Sequence, residues 1–526
     1  MSTVTPKGNL DGFRTYVGSD IVSGFLVFLI ALPLCLGISL ASGYPATAGI
    51  LTAIIGGLLS TFFSNSELTI KGPAAGLIVI AIGCVGEFGF TFGRDPAADM
   101  EAYRLALGVG VIAGAIQILF GLFRAGILAQ FFPTAAVHGL LASIGVIIIA
   151  KQVPVTMGLG SEGAPLELLA KIPSFVMGMD PQAGLIGIIS LVVMFGYPLL
   201  KIPGLRAIPA PMVVLLIAVP LGMRFELGKD LLVSVPQNFA GAFAFPNFSG
   251  VATATGMKYI VLFALIGTVE SLLSAKAVDE IDPYQRKTHH DRDLLAIGMG
   301  NTLAGLVGGL PMISEIVRSR ANIDNGAKTR FANFYHGMFL LLFVALAPAL
   351  INQIPLAALG AMLVFTGFRL ASPKEFLHMY HVGREQLVIF VATIVGVLAT
   401  DLLSGIAIGI LVKACIHLVN GAPFASLFRL KVEVSAAEGS ATVAVKDAAV
   451  FSTWIGLKKR LDSLKGKSPV NLDLSQTRVV DHTVMERLSE ASKEFEESGS
   501  SLTIQGLEGH RALSEDPQAA RVKKSA

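Results

Sequence analysis

The chain has 526 residues, 53% of them hydrophobic and only 15% charged, with a net charge of +3 and a mean hydropathy of +0.69. Soluble domains average about 25% charged residues, so these figures exclude a disordered chain, a coiled coil and a typical soluble enzyme. The near balance of 40 Lys+Arg against 37 Asp+Glu also excludes a polyanion-binding surface, and with it a nucleic-acid partner. What remains is an integral membrane protein, in which 56 Gly and 25 Pro suit helices that pack closely or break.

Residues 1–19 read as a short N-terminal segment and 20–425 as a membrane domain whose partner is the lipid bilayer. Apolar runs occupy 21–40, 46–63, 104–123, 127–150, 183–200, 210–223, 258–278, 293–310, 333–351, 355–370, 386–400 and 402–419. Many approach the ~20 residues of a spanning helix. The first run is too long, and followed by too many others, to be a cleaved signal peptide. Two interrupted segments, 74–88 and 312–321, follow the breaks Gly72-Pro73 and Gly308-Gly309-Leu310-Pro311. Counting both gives fourteen segments.

Basic residues set the orientation. With Lys7 and Arg14 inside, the inner loops hold Arg124, then Lys201 and Arg206, then Arg286, Lys287 and Arg292, then Arg318 to Arg330, and finally Lys374 and Arg384 in the loop 371–385. The positive-inside rule then places both termini in the cytoplasm of a multi-pass protein of the cell (inner) membrane. Cys35, Cys84 and Cys415 lie in apolar stretches without ligand spacing and read as packing residues.

From about 426 to 526 the pattern changes to a small α/β domain. Residues 429–450 alternate as strands do, 453–465 and 482–497 read as amphipathic helices, and 470–474 and 501–504 as strands. A polar tail is expected from about 510.

The two broken segments are each third in their half, if the second half begins near 256. Seven segments per half is an odd number, so the halves run in opposite senses. Paired interrupted helices at matching places are the best sequence pointer to a transporter site. A half-helix starting at mid-membrane aims free N–H groups and a positive dipole end at the centre, which favours an anion. Glu270 lies in the eighth span, where an ionisable group is a functional candidate by default. Ser274 is one turn on, on the same face. The pair suits a proton or Na⁺.

Four stretches together resemble the sulfate permease (SulP) family of anion transporters: Ala31 to Gly37, Gly72 to Ala75, Glu270 to Ala275, and Gly300-Asn301 through Pro311, Arg318-Ser319 and Asn322 to Gly326-Ala327-Lys328-Thr329. The tail, with Asp473-Leu474-Ser475 and Asp481-His482-Thr483, is similar to a STAS domain. The resemblance implies an all-α polytopic domain of 7+7 inverted repeats with core and gate parts, an elevator-type motion and a homodimer. It places a small inorganic anion between the third and tenth segments, at Ala74 and Ala75 on one side and Ser314, Glu315, Ile316 and Val317 on the other. Leu34 and Ile38 form the wall, and Glu270 is the coupling carboxylate. No cofactor is implied beyond a coupling Na⁺ or H⁺, and no metal beyond Na⁺ at Glu270.

The departures from the family are informative. Leu34 stands where many members have Gln, which resembles the prokaryotic bicarbonate carriers. Lys71 replaces a neutral residue. Glu315 falls where small or hydroxyl residues are usual, in the first turn of the tenth segment. An ionised Glu315 would occupy the helix end itself, and three resolutions stay open: protonation, pairing with Lys71, or pairing with Arg318. His482 stands where soluble STAS relatives carry a phosphorylated Ser, so dimer contact or docking of a cytoplasmic partner is the plainer role for this domain.

The function expected is secondary active anion transport with Na⁺ or H⁺ coupling, bicarbonate being favoured over sulfate and dicarboxylates. A channel or anion sensor is the alternative from another class. An enzyme is not expected, since His138, His336, His378 and His381 lack metal-centre spacing.

Overall fold

The structure, a computed structural model, describes residues 5–124, 126, 132–200, 208–437, 440–466 and 469–524. The inner-loop residues Lys201 and Arg206, and the start of the 127–150 run, lie outside the described residues.

The first half comprises α1 (Leu10–Ala41), α2 (Thr47–Leu58), α3 (Ser60–Phe63), β1 (Ile70–Pro73), α4 (Ile78–Glu87), α5 (Pro96–Leu122), α6 (Thr134–Thr156), α7 (Pro165–Ala170), α8 (Ile172–Met177), α9 (Pro181–Gly196) and α10 (Ala210–Arg224). The second comprises α11 (Ala254–Ile281), α12 (His290–Val307), β2 (Met312–Glu315), α13 (Ile316–Asp324), α14 (Phe331–Leu346), α15 (Pro348–Ile351), α16 (Leu356–Leu370), α17 (Pro373–Val382), α18 (Arg384–Ala399) and α19 (Leu402–Val419). Seven of the described helices are long and apolar enough to cross a membrane. The shorter apolar helices α2, α10 and α14, the half-helices α4 and α13, and the helices α12 and α18 complete fourteen segments among the described residues, seven in each half.

Local chemistry starts and stops these helices. Asp95 and Asp180 accept from the amides two and three residues on, with Pro96 and Pro181 at the first helical position. Asp401 caps α19 in the same way. Gly308 ends α12 in the left-handed region, with φ +103, which only glycine adopts at little cost.

Two departures from the sequence reading bear on function. Residues 312–321 are not one helix: four residues form β2 before α13 begins, because Pro311 stops helical continuation and the chain stays extended. β2 pairs antiparallel with β1, setting Ile70 opposite Glu315, Lys71 opposite Ser314, Gly72 opposite Ile313 and Pro73 opposite Met312. The loop 371–385 is also largely helical, as α17.

The packing divides the chain into two units, residues 1–126 with 144–370, and 127–143 with 371–526. In the first, α5 packs on α12, α1 and α2 pack on α14, and α9 packs on α16. Its apolar core runs from Phe28, Leu32 and Leu36 through Ile50 to Leu359 and Met362.

The second unit holds α17, α18 and α19 and an α/β domain built from β3 (Lys431–Ala437), β4 (Ser440–Ala449), α20 (Trp454–Leu464), β5 (Val470–Asp473), β6 (Thr477–Val480), α21 (His482–Glu497), β7 (Leu502–Gln505), β8 (His510–Ala512) and β9 (Arg521–Lys523). The strand order is β7-β5-β4-β6-β9-β8, with β3 on β4. The tail expected to be merely polar after 510 therefore extends the sheet beyond β6: β9 pairs with both β6 and β8. Its strands are three residues each, too short for periodicity to reveal.

In this unit Lys413 of α19 is fully buried and donates to Thr483 Oγ1 (2.6 Å). It lies 3.4 Å from Asp481, the N-cap of α21, as does His417. Burial would raise the Asp481 carboxyl. The Lys413 and His417 charges and the Val484 and Phe451 amides outweigh it and hold that carboxyl below the ordinary range.

Candidate functional site

The β1–β2 ribbon is irregular backbone within an apolar domain, so its polar groups need partners. Side chains supply them. Ile70 N–H donates to Ser319 Oγ (2.8 Å) and Lys71 N–H to Asn333 Oδ1 (3.2 Å). Met312 N–H donates to Asn301 Oδ1 (2.5 Å), and Ser314 N–H to Ser271 Oγ (3.0 Å). Asn322 donates to Leu68 O (3.0 Å).

Lys71 does not reach Glu315. Its ammonium donates to Asp293 Oδ1 (2.6 Å), Ser314 Oγ (2.8 Å) and Thr69 Oγ1 (2.9 Å). Asp293 also accepts from Ser64 (2.5 Å) and Ser314 (3.1 Å). Both charges are 1% exposed. The resolution that paired Lys71 with Glu315 is therefore corrected: the partner is an aspartate on the first turn of α12. Sequence reasoning overlooked Asp293 because it sits at the polar start of an apolar run, where an acid is ordinary.

Glu315 occupies the N-cap of α13 rather than its first turn, and its side chain does not cap its own helix. It turns to the other half-helix, where the Ala75 amide donates to it and Arg318 is the nearby cation. Glu270 converges on the same place. A Cβ on Gly76 would lie 2.0 Å from Glu270 Oε1, so only glycine admits that carboxyl beside the start of α4. A Cβ on Gly72 would lie 2.4 Å from Arg318 Nη1, so Gly72 gives passage to the guanidinium, which donates to Pro73 O (3.3 Å) and is 1% exposed. Glu270 Oε2, Glu315 Oε1 and Arg318 Nε are buried without a hydrogen-bond partner.

Neither half-helix has a side-chain cap. Leu34, Ala75, Glu270, Glu315 and Val317 keep part of their surface, and Ile316 is 42% exposed. Behind them Ala74, Ser314 and Ile38 are buried in packing. Ser274 is buried on the face of α11 one turn beyond Glu270, while Ser271 makes the contact to β2. His336 of α14 is also fully buried, with neither ring nitrogen partnered.

The charge inventory is thus one guanidinium, two carboxyls and two open helix ends. With both carboxyls ionised, an anion would enter a net negative recess. With a proton or a cation on them, the helix ends and Arg318 favour it.

Two inverted halves, each with a third membrane segment that starts beside a shared strand ribbon, define a polytopic membrane protein of transporter type. The sulfate permease family matches residues 17–393, and the chain belongs to that family. It is 26% identical to the putative sulfate transporter YvdB of Bacillus subtilis over 77% of this chain and 73% of that one. It is 24% identical to the bicarbonate transporter BicA of Picosynechococcus over 76% and 70% of the respective chains. Murine Solute Carrier 26 family member A9, an anion transporter, superposes with a TM-score of 0.67 at 15% identity, covering 93% of this chain and 86% of that one. That likeness extends through the C-terminal α/β region.

Proposed function

We propose that the protein is a secondary active transporter of a small inorganic anion, with bicarbonate as its preferred cargo and a proton or Na⁺ as its coupling ion. The observation that carries this reading is the convergence of Glu270 and Glu315 on the start of α4, each with a buried, unpartnered oxygen. Two such carboxyls beside an anion site must be neutralised before an anion binds there, and that requirement is the coupling. The anion then takes the amides of Ala75, Ile316 and Val317, with Leu34 as an apolar wall. Leu34 supplies no hydrogen bond, which suits a small singly charged oxoanion, and BicA supports the same cargo. Sulfate is the second reading, favoured by the likeness to the putative sulfate transporter YvdB.

Alternating access by an elevator-type movement, a homodimer, a STAS role for the C-terminal domain and cytoplasmic termini complete the proposal. Proteoliposomes given labelled bicarbonate or sulfate under imposed pH or Na⁺ gradients test it. Saturable bicarbonate uptake driven by one gradient is expected. Gradient-independent, non-saturating flux would overturn it in favour of a channel.

A further inference from the structure

A partly enclosed cavity of about 160 Å³ lies where α1, α4, α6 and α16 approach one another, lined in part by Ala41, Ile82, Phe92, Lys151, Gln152 and Leu359. Its position follows from helical geometry. Ala41 is seven residues beyond Leu34 on α1, and Ile82 seven beyond Ala75. Seven residues are nearly two turns, which return to the same face about 10 Å further along. The cavity therefore continues the faces that carry the candidate anion site, on two independent elements.

Its charge is unusual. Lys151 Nζ donates to Gly163 O (3.2 Å) and sits 5.7 Å from the centroid of the Phe92 ring. An ammonium has three donors, so this leaves capacity facing the cavity. The acids of the adjoining loop and helix are engaged elsewhere, Glu162 with Arg94 and Glu167 with Lys171. Among the described residues no carboxylate lies within ion-pair distance of Lys151. A cation without a counter-ion, in a mostly apolar wall, focuses potential into the space it faces.

We propose that this cavity is a docking station for a small inorganic oxoanion, with the Lys151 ammonium as its charge and the Gln152 amide as its second polar group, and that the anion pauses here on the way to the half-helix site. This rests on the transport reading above. In the orientation proposed there, the station faces the outside.

The test is the concentration dependence of bicarbonate and sulfate uptake by the full-length protein in proteoliposomes. For K151Q the expected result is a KM raised about tenfold with the maximal rate within about twofold; K151R stays near the wild type. An unchanged KM in K151Q, with wild-type uptake intact, overturns the station alone. Absence of anion uptake by the wild type overturns the transport reading and the station with it. A charge-replacement arm separates charge from folding. Cys35 and Cys84 are buried and Cys415 is exposed, so K151C is made in a C415S background. The new thiolate attacks aminoethyl methanethiosulfonate, forming a mixed disulfide and releasing methanesulfinate, which returns an ammonium to the position. Recovery of the low KM is expected, and a KM that stays high after full labelling overturns the proposal.

Discussion

Two charged clusters share the β1–β2 ribbon and differ in one respect. Around Lys71 and Asp293 every ammonium proton and carboxylate oxygen meets a hydrogen-bond partner, five bonds in all. Around Glu270 and Glu315 two carboxyl oxygens and one guanidinium nitrogen have none. A buried pair that satisfies itself has no use for a further ion, whereas an unsatisfied pair keeps its desolvation cost until something binds. The closed cluster holds the ribbon, and the open one is where a bound ion would gain most.

Breaking the closed cluster has the largest expected effect. K71M or D293N leaves one buried charge unpaired and is expected to cost about 3–5 kcal/mol, seen as loss of monodisperse protein. K71M combined with D293L recovers much of it. Next comes G76A, whose Cβ cannot coexist with the present Glu270 position; uptake is expected to fall at least tenfold while the protein still purifies.

The open cluster is expected to respond in function rather than in folding. E270Q and E315Q remove charge without removing bulk, so folding is retained and coupling changes. Each is expected to flatten the dependence of uptake on the driving gradient, and unchanged coupling in both variants would sink the assignment. Smaller still is the contrast between two serines of α11. S271A orphans the Ser314 N–H, at about 1–3 kcal/mol. S274A costs under about 1 kcal/mol, so a loss of Na⁺ dependence in it would report ligation directly.

A third cluster, in the other unit, gives a pH signature. A carboxyl held below its usual value contributes stability that is present above about pH 4 and lost as pH falls through the lowered value. The second unit is therefore expected to lose stability below about pH 4 because Asp481 protonates and leaves Lys413 buried without its counter-ion. D481N shows that loss already at pH 7, with a flatter acid limb.

Much of this was legible in the residues. Length of run and helix-breaking Gly-Pro pairs located fourteen segments and both half-helices, because a bilayer requires long apolar stretches and makes their interruptions conspicuous. Glu270 and Glu315 stood out for the same reason. Partners across the fold were not legible. Nothing local links Lys71 to Asp293, 222 residues away, or Glu315 to Ala75. The roles of Gly72 and Gly76 appear only once a guanidinium and a carboxyl are seen passing them. The strand character of 312–315 was hidden because Met-Ile-Ser-Glu carries no alternation long enough to outvote a helix.

The ribbon itself has a mechanical meaning. Four paired positions join two segments about 240 residues apart in sequence, and the side chains of Asn301, Ser319 and Asn333 lace its edges. α4 and α13 are thereby riveted at their roots, so neither can shift alone without breaking main-chain hydrogen bonds inside an apolar domain. In the transport cycle proposed above, the two halves of the cradle would travel as a single cassette.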